Sequence, residues 1–246
     1  IKANLLIIKY FKKLNRRYVV SFHICQKNTA IFLTFCCVYT AKFISLQQFH
    51  DKQGYNMELL KQLSDNLIKR TDTRYLRYLY HQIPWTNRMT AIVGPRGVGK
   101  TTLLLQYIKL NLHKKDTLYV SAESIYFANH TLFDTATTFC ALGGNHLFID
   151  EIHKYKGWAT ELKMIYDNLP DLQVVFTGSS VLDIYKGTAD LSRRVLVYTM
   201  QGLSFREYLG MTLGIELPAY TLEQITDNEV ELPKEVEKPL ALFKEY

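Results

Sequence analysis

From residue 57 onward, the apolar positions of the chain fall into two alternating periods. Leu59, Leu60, Leu63, Leu67 and Ile68 recur at helical spacing, and Tyr75, Leu76 and Leu79 continue a second helical stretch. Short apolar runs at Thr90–Val93, Leu118–Val120, His146–Asp150, Leu172–Thr177 and Val195–Tyr198 have the length of buried strands. Between them, Thr101–Leu112 and Trp158–Leu169 read as helices, the second stopped by Pro170. Gly143-Gly144 introduces the third strand and Gly178 closes the fourth. Strands alternating with helices of about ten residues predict parallel βαβ units, an α/β chain with helices on both faces of one sheet. No internal repeat is visible. From Thr221 the chain is polar and punctuated by proline (NEVELPKEVEKP), so residues 211–246 are expected to be a linker or the opening of a further domain.

Residues 1–56 obey neither period. The first fifty hold six Lys and two Arg and no acid, which accounts for the whole of the +7 formal charge. The remainder carries 22 basic against 23 acidic residues. A basic excess normally points to nucleic acid or an acidic membrane surface, but here the body of the chain neither demands nor excludes nucleic acid. Three readings are open for residues 1–56: a membrane anchor or signal, a basic aromatic arm for nucleic acid, and translated non-coding sequence ahead of the true start. The uncharged run 28–41 has 14 residues, short of the roughly 20 that span a bilayer, so no membrane span is predicted. The charges follow no helical or strand period. The segment begins with Ile, has one glycine (Gly54) and no proline, and is rich in Ile, Lys, Asn, Phe and Tyr, whose codons are A/T-rich. Met57 then opens an ordinary amphipathic start, MELLKQLSDNLIKR. The expectation is therefore a poorly specified extension over 1–56, with Met57 as initiator.

Cysteine divides in the same way, with Cys25, Cys36 and Cys37 in the extension and Cys140 alone in the body. No Cys/His spacing suggests zinc, and the usage fits a reducing cytoplasm, the expected location. Cys140 is expected to be a small buried apolar residue.

The chemistry lies after the first strand. Gly94, Pro95, Arg96, Gly97, Val98, Gly99, Lys100, Thr101 and Thr102 spell GPRGVGKTT, a full G-x-x-x-x-G-K-[ST] match between a strand and a helix. Glycines let backbone N–H groups converge on phosphates at a helix N-terminus. Lys100 supplies a point charge for the β- and γ-phosphates, and the Thr101 hydroxyl is a hard oxygen for Mg²⁺. The strand ending Leu147-Phe-Ile-Asp150-Glu151 adds two carboxylates. Asp150 is placed to hold the Mg²⁺ hydration shell and Glu151 to act as general base on the attacking water. Such groups belong at the carboxyl ends of parallel strands. Thr177-Gly178-Ser179-Ser180 follows the next strand, and its hydroxyls approach the γ-phosphate if that strand lies between the other two. Arg193 and Arg194 precede the last strand, where one of them reaches a phosphate of its own subunit or of a neighbour, or both are solvated charges. His153 and Lys154, just after the acids, stay open between structural and catalytic roles.

The ordered set GPRGVGKTTLLLQ, LFIDEIHKYKGWATELKMIYDNLPDLQVVFTGSS and LSRRVLVYTMQGLSFREYL resembles the AAA+ superclass of P-loop ATPases, near the archaeal-type and signal-transducing STAND branches. The resemblance covers about residues 57–210 and implies a three-layer αβα sandwich with a five-stranded parallel sheet in 5-1-4-3-2 order. It also implies ATP and Mg²⁺ as ligands and self-association as a family trait. Asp150 and Glu151 take the second acidic motif, the Thr177–Ser180 loop (Thr177 and Ser179 among it) the sensor position, and Arg194 the arginine before the last core strand. The leading expectation is an Mg-dependent ATPase coupling hydrolysis to conformational change. The alternative is a slow-turnover, nucleotide-gated switch. No N-K-x-D guanine-reading motif occurs to support a GTPase, and the adjacent acids with the TGSS loop argue against a small-molecule kinase.

Overall fold

The computed structural model describes residues 57–179, 191, 193–227, 233–236, 242–244 and 246. The expectations for residues 1–56 and for Ser180 lie outside the described residues. Five strands, β1 (Met89–Val93), β2 (Thr117–Ser121), β3 (His146–Asp150), β4 (Gln173–Gly178) and β5 (Leu196–Thr199), form one sheet. Every pairing is parallel and the order is β2-β3-β4-β1-β5. This is the 5-1-4-3-2 order implied by the resemblance, read from the other edge. The register sets Val93 beside Gly178 and Ser121 beside Asp150. The loops that leave β1, β3 and β4 therefore share the carboxyl edge of the sheet.

Alternation along the strands divides the core into two faces. Ala91, Val93, Leu118, Val120, Leu147, Ile149, Val174 and Phe176 point to one face. There they meet helices α4 (Leu132–Ala141) and α5 (Trp158–Asn168) through Leu132, Phe139, Leu162 and Ile165. Ile92, Tyr119, Phe148 and Val175 point to the other, against Leu103, Leu104 and Ile108 of α3 (Lys100–Asn111). Buried strands flanked on both faces read as near-continuous apolar runs, which is why they were legible in the sequence. Helix α4 adds an element to those expected; its N-cap Thr131 accepts the Asp134 N–H.

Helix α1 covers residues 57–70. It buries Met57, Leu60, Ser64 and Ile68, while Leu59, Leu63 and Leu67 face outward. The apolar stripe expected from spacing is thus wider than the stripe that packs. The Ser64 hydroxyl accepts the backbone N–H of Tyr119 at 3.0 Å, so α1 covers the free edge of β2. The second helical stretch is shorter than its spacing predicts, since helix α2 spans Tyr78–Gln82 and residues 71–77 are not helical. Side chains of α3 take the carbonyls that a helix would use. Gln106 donates to Asp72 and Tyr75, and Lys109 to Lys69 and Thr71. Helix α6 (Phe205–Leu213) follows β5, and α7 (Leu222–Thr226) lies in the tail. Cys140 is half-buried against the α4 and α5 face rather than fully enclosed; burial, and then the charge of Asp171, push its thiol pKa up. Among the described residues, no helix is long and apolar enough to cross a membrane.

Candidate functional site

β1 runs into a loop held close on its outer side. The N–H of Gly94 donates to Gly178 O and that of Met200 to Val93 O. A Cβ at residue 94 would overlap the Met200 carbonyl oxygen, so only glycine fits there. Gly99 has φ +98°, in the left-handed region. That turn starts α3 at Lys100 with no side chain capping its N-terminus. Pro95, Arg96, Gly97, Thr101 and Thr102 are exposed, whereas Lys100 is buried. Its Nζ donates to Gly94 O, Pro95 O and Ser179 Oγ at 2.9, 2.8 and 3.0 Å. Burial lowers its pKa, opposed by the negative charge of Glu151 and Asp150.

Asp150 closes β3 inside a ring of hydroxyls. Its Oδ2 accepts from Thr101 Oγ1 at 2.6 Å and from the Tyr119 phenol at 2.9 Å, and its Oδ1 accepts from Thr177. Tyr119 belongs to β2, and burial followed by the charge of Asp150 raises its pKa strongly. This phenol is the one contributor to the ring absent from the expected set. Its sequence position, in the middle of an apolar strand, signals only a core residue.

Glu151 is the only non-glycine residue with positive φ among the described ones, at +52°. Its N–H donates to Thr177 Oγ1 at 3.0 Å. Its carboxylate accepts from Ser179 Oγ at 2.7 Å and lies 4.0 Å from Lys100 Nζ and 3.5 Å from His153 Nδ1. A cavity of 190 Å³ opens in front of it, lined by Arg96, Glu123, His153, Lys154 and Ser179. Thr177 and Ser179, expected as a single polar loop, thus diverge. Thr177 is fully buried and braces both acids from behind, while Ser179 stands between Lys100 and Glu151 at the cavity.

A family model described as "AAA domain" matches residues 86–209, half of the chain. The chain belongs to the AAA-domain family. The uncharacterized protein MJ1637 of Methanocaldococcus jannaschii is 30% identical over 196 residues, which cover 76% of this chain and 38% of that protein. The chain therefore spans well under half of this relative's length. Among solved structures, C. elegans PCH-2 is similar at 17% identity and a TM-score of 0.40, over 76% of this chain and 50% of that one. DnaA from Aquifex aeolicus, bound to AMPPCP, is similar at 16% identity and a TM-score of 0.38, over 71% and 52%.

One expected residue stands apart in this AAA domain. Arg194 precedes β5, and Leu196 pairs with Thr90 near the start of β1. It therefore lies at the amino edge of the sheet, opposite the 94–102 loop. There its guanidinium pairs with Asp167 at 3.1 Å and sits 5.7 Å from the Tyr166 ring, which Arg88 also covers at 3.8 Å. Of the two routes expected for Arg194, its own subunit or a neighbour, this topology is against the first, since parallel strands put its loop and the 94–102 loop at opposite ends. Arg193 is exposed on the same edge. Among the described residues, no group of three or more His, Cys, Asp or Glu is gathered that would hold a metal by itself.

Proposed function

We propose that this AAA domain, over residues 57–210, binds ATP with Mg²⁺ at the 94–102 loop and hydrolyses it, coupling turnover to a conformational change. One observation carries the reading: Ser179 Oγ bridges Lys100 Nζ and the Glu151 carboxylate, 4.0 Å apart, at a glycine-built helix N-terminus. The residues fit the ligands. The uncapped N–H groups of α3 and the loop suit a polyphosphate, and Lys100 can exchange its carbonyl partners for phosphate oxygens. Thr101 and Asp150, in contact at 2.6 Å, are the hard oxygen pair that would hold Mg²⁺. When bound, the ion supplies charge neutralisation at the phosphate oxygens.

The work of the chain is positioning and proton transfer. Glu151 accepts a proton from the water whose oxygen attacks the γ-phosphorus. The bond to the β–γ bridging oxygen breaks and ADP leaves with that electron pair. Ser179 orients the carboxylate, and Lys100 stabilises charge on the transferring group. Arg194 is left for the site of a second copy, so self-association is part of the proposal, as is a cytoplasmic location.

Turnover and binding by Glu151→Gln and Lys100→Ala test the reading. Glu151→Gln is expected to retain ATP and lose about 10²-fold or more in turnover, whereas Lys100→Ala loses ATP. Equal, negligible turnover by wild type and Glu151→Gln, with binding intact, assigns the chain to the nucleotide-gated switch instead.

A further inference from the structure

The loop that cradles phosphate in the proposed function is gripped from outside by a residue that no motif contains. Arg77, the N-cap of α2, sends its guanidinium in three directions. Nε donates to Glu207 Oε1 at 2.8 Å, Nη1 to Val98 O at 2.7 Å, and Nη2 to Gln201 O and Gly202 O, both at 3.0 Å. Val98 lies inside GPRGVGKTT, and Gln201 and Gly202 directly follow Met200, against which Gly94 packs. Glu207 is itself fully engaged. Its Oε1 also takes the Tyr78 N–H, and Oε2 takes the N–H and hydroxyl of Ser204. The guanidinium is thus fixed at one end and has four donors committed, which leaves it little capacity to touch a phosphate.

We infer that Arg77 is a positioning residue for nucleotide binding, one that orients the Val98–Gly99 peptide of the cradle. In a trans peptide the carbonyl and the following N–H point in opposite directions. A Val98 carbonyl held outward by Arg77 therefore turns the Gly99 N–H inward, toward the centre of the loop. Gly99 has the left-handed φ that permits this turn. Without the grip, that peptide rotates freely between donor-in and carbonyl-in, and the second orientation presents a partial negative charge to a phosphate. The same guanidinium ties Gln201 and Gly202, next to Met200, to the loop, so the two segments keep their separation. The inference rests on the reading of residues 94–102 as the phosphate cradle.

Binding of MgADP and MgATP, measured by calorimetry on the full chain, tests it together with thermal unfolding in the absence of nucleotide. Arg77→Ala is expected to raise both Kd values roughly tenfold, the loss of one aligned hydrogen bond to a charged phosphate. Arg77→Lys keeps the charge beside Glu207 but lacks the fork, so it is expected to show most of the same loss; it also serves if the alanine variant does not fold. Tyr75→Ala is the control. Its ring packs on Gly210 of α6 and ties the same segment to that helix; its Kd is expected to stay within about twofold of wild type. Wild-type affinity in both Arg77 variants overturns the inference, as does an equal loss in Tyr75→Ala, which would trace the effect to loosening of α6. Lys100→Ala in the same assay separates the two levels. If it too binds normally, the cradle reading itself fails; if it loses nucleotide while Arg77→Ala does not, only the role of Arg77 fails.

Discussion

Glu151 holds a backbone conformation that costs a non-glycine residue about 1–2 kcal/mol, and it is the only such residue among the described ones. The Thr177 hydroxyl makes this geometry tenable by accepting the Glu151 N–H while donating to Asp150. Thr177→Val keeps the shape and removes both bonds. Under the proposed function it is expected to lower turnover by about tenfold or more while changing ATP affinity less, because it displaces the proposed base Glu151 and leaves the 94–102 loop untouched; comparison of kcat with Kd checks this. Tyr119→Phe removes one of three hydroxyl donors to a buried carboxylate. The expected cost is about 1–2 kcal/mol in urea unfolding, with a shift in the Mg²⁺ dependence of turnover that a purely structural tyrosine would not give. Tyr119 is not distinguishable by sequence from a core tyrosine, and Thr177, expected to approach the γ-phosphate with its loop, carries no local sign that it braces the two acids instead. Their role depends on which strand lies beside β3, and β2 and β4 are separated from it by entire helices.

At the scale of elements, α6 is the most locally encoded part of the site's surroundings. Ser204 and Glu207 form a capping box, with each side chain bonded to the other's backbone, and S-x-x-E is a readable start signal. The sequence does not disclose that Glu207 also caps α2 and anchors Arg77, 130 positions away. Burial pushes the Glu207 pKa up. The Arg77 hydrogen bond and the N–H groups of Ser204 and Tyr78 outweigh it and hold the pKa at about 2, below the ordinary 4.5. The depressed value means that this carboxylate stabilises the fold fully above about pH 4.5, and the contribution fades as pH falls toward 2. Glu207→Gln is therefore expected to unfold more easily than wild type at neutral pH, with the two converging in acid; melting temperature against pH tests this. Helix α1 depends on long-range context as well. Its buried line follows Ser64, whose hydroxyl serves the edge of β2, rather than the leucines at 59, 63 and 67 that dominate its pattern.

For the whole molecule, sheet order decides which residues share an edge. Arg194 lies across the sheet from Lys100, so within one subunit it does not reach the 94–102 loop. Arg194→Ala is expected to bind ATP as wild type does. If it serves a neighbouring copy, its turnover falls, and mixing it with Glu151→Gln restores part of the activity, since mixed pairs join an intact base to an intact arginine. Activity that stays flat on mixing and does not depend on protein concentration would remove Arg194 from the mechanism.

Local pattern alone carried the α/β alternation, five strand positions, the glycines of the 94–102 loop and the two acids, because each depends on spacing within some ten residues. Burial on both sheet faces writes the strands as apolar runs, and a turn packed against Met200 with a left-handed residue at its end admits little but glycine at 94 and 99. Tertiary structure decided everything that needed strand order or crossing contacts. It separated Thr177 from Ser179, brought Tyr119 to Asp150, sent Arg194 to the far edge and joined Arg77 to Val98. Hydrogen bonds between residues 21 to 130 positions apart leave no periodic trace in a single chain, since each side chain alone resembles an ordinary core or surface residue.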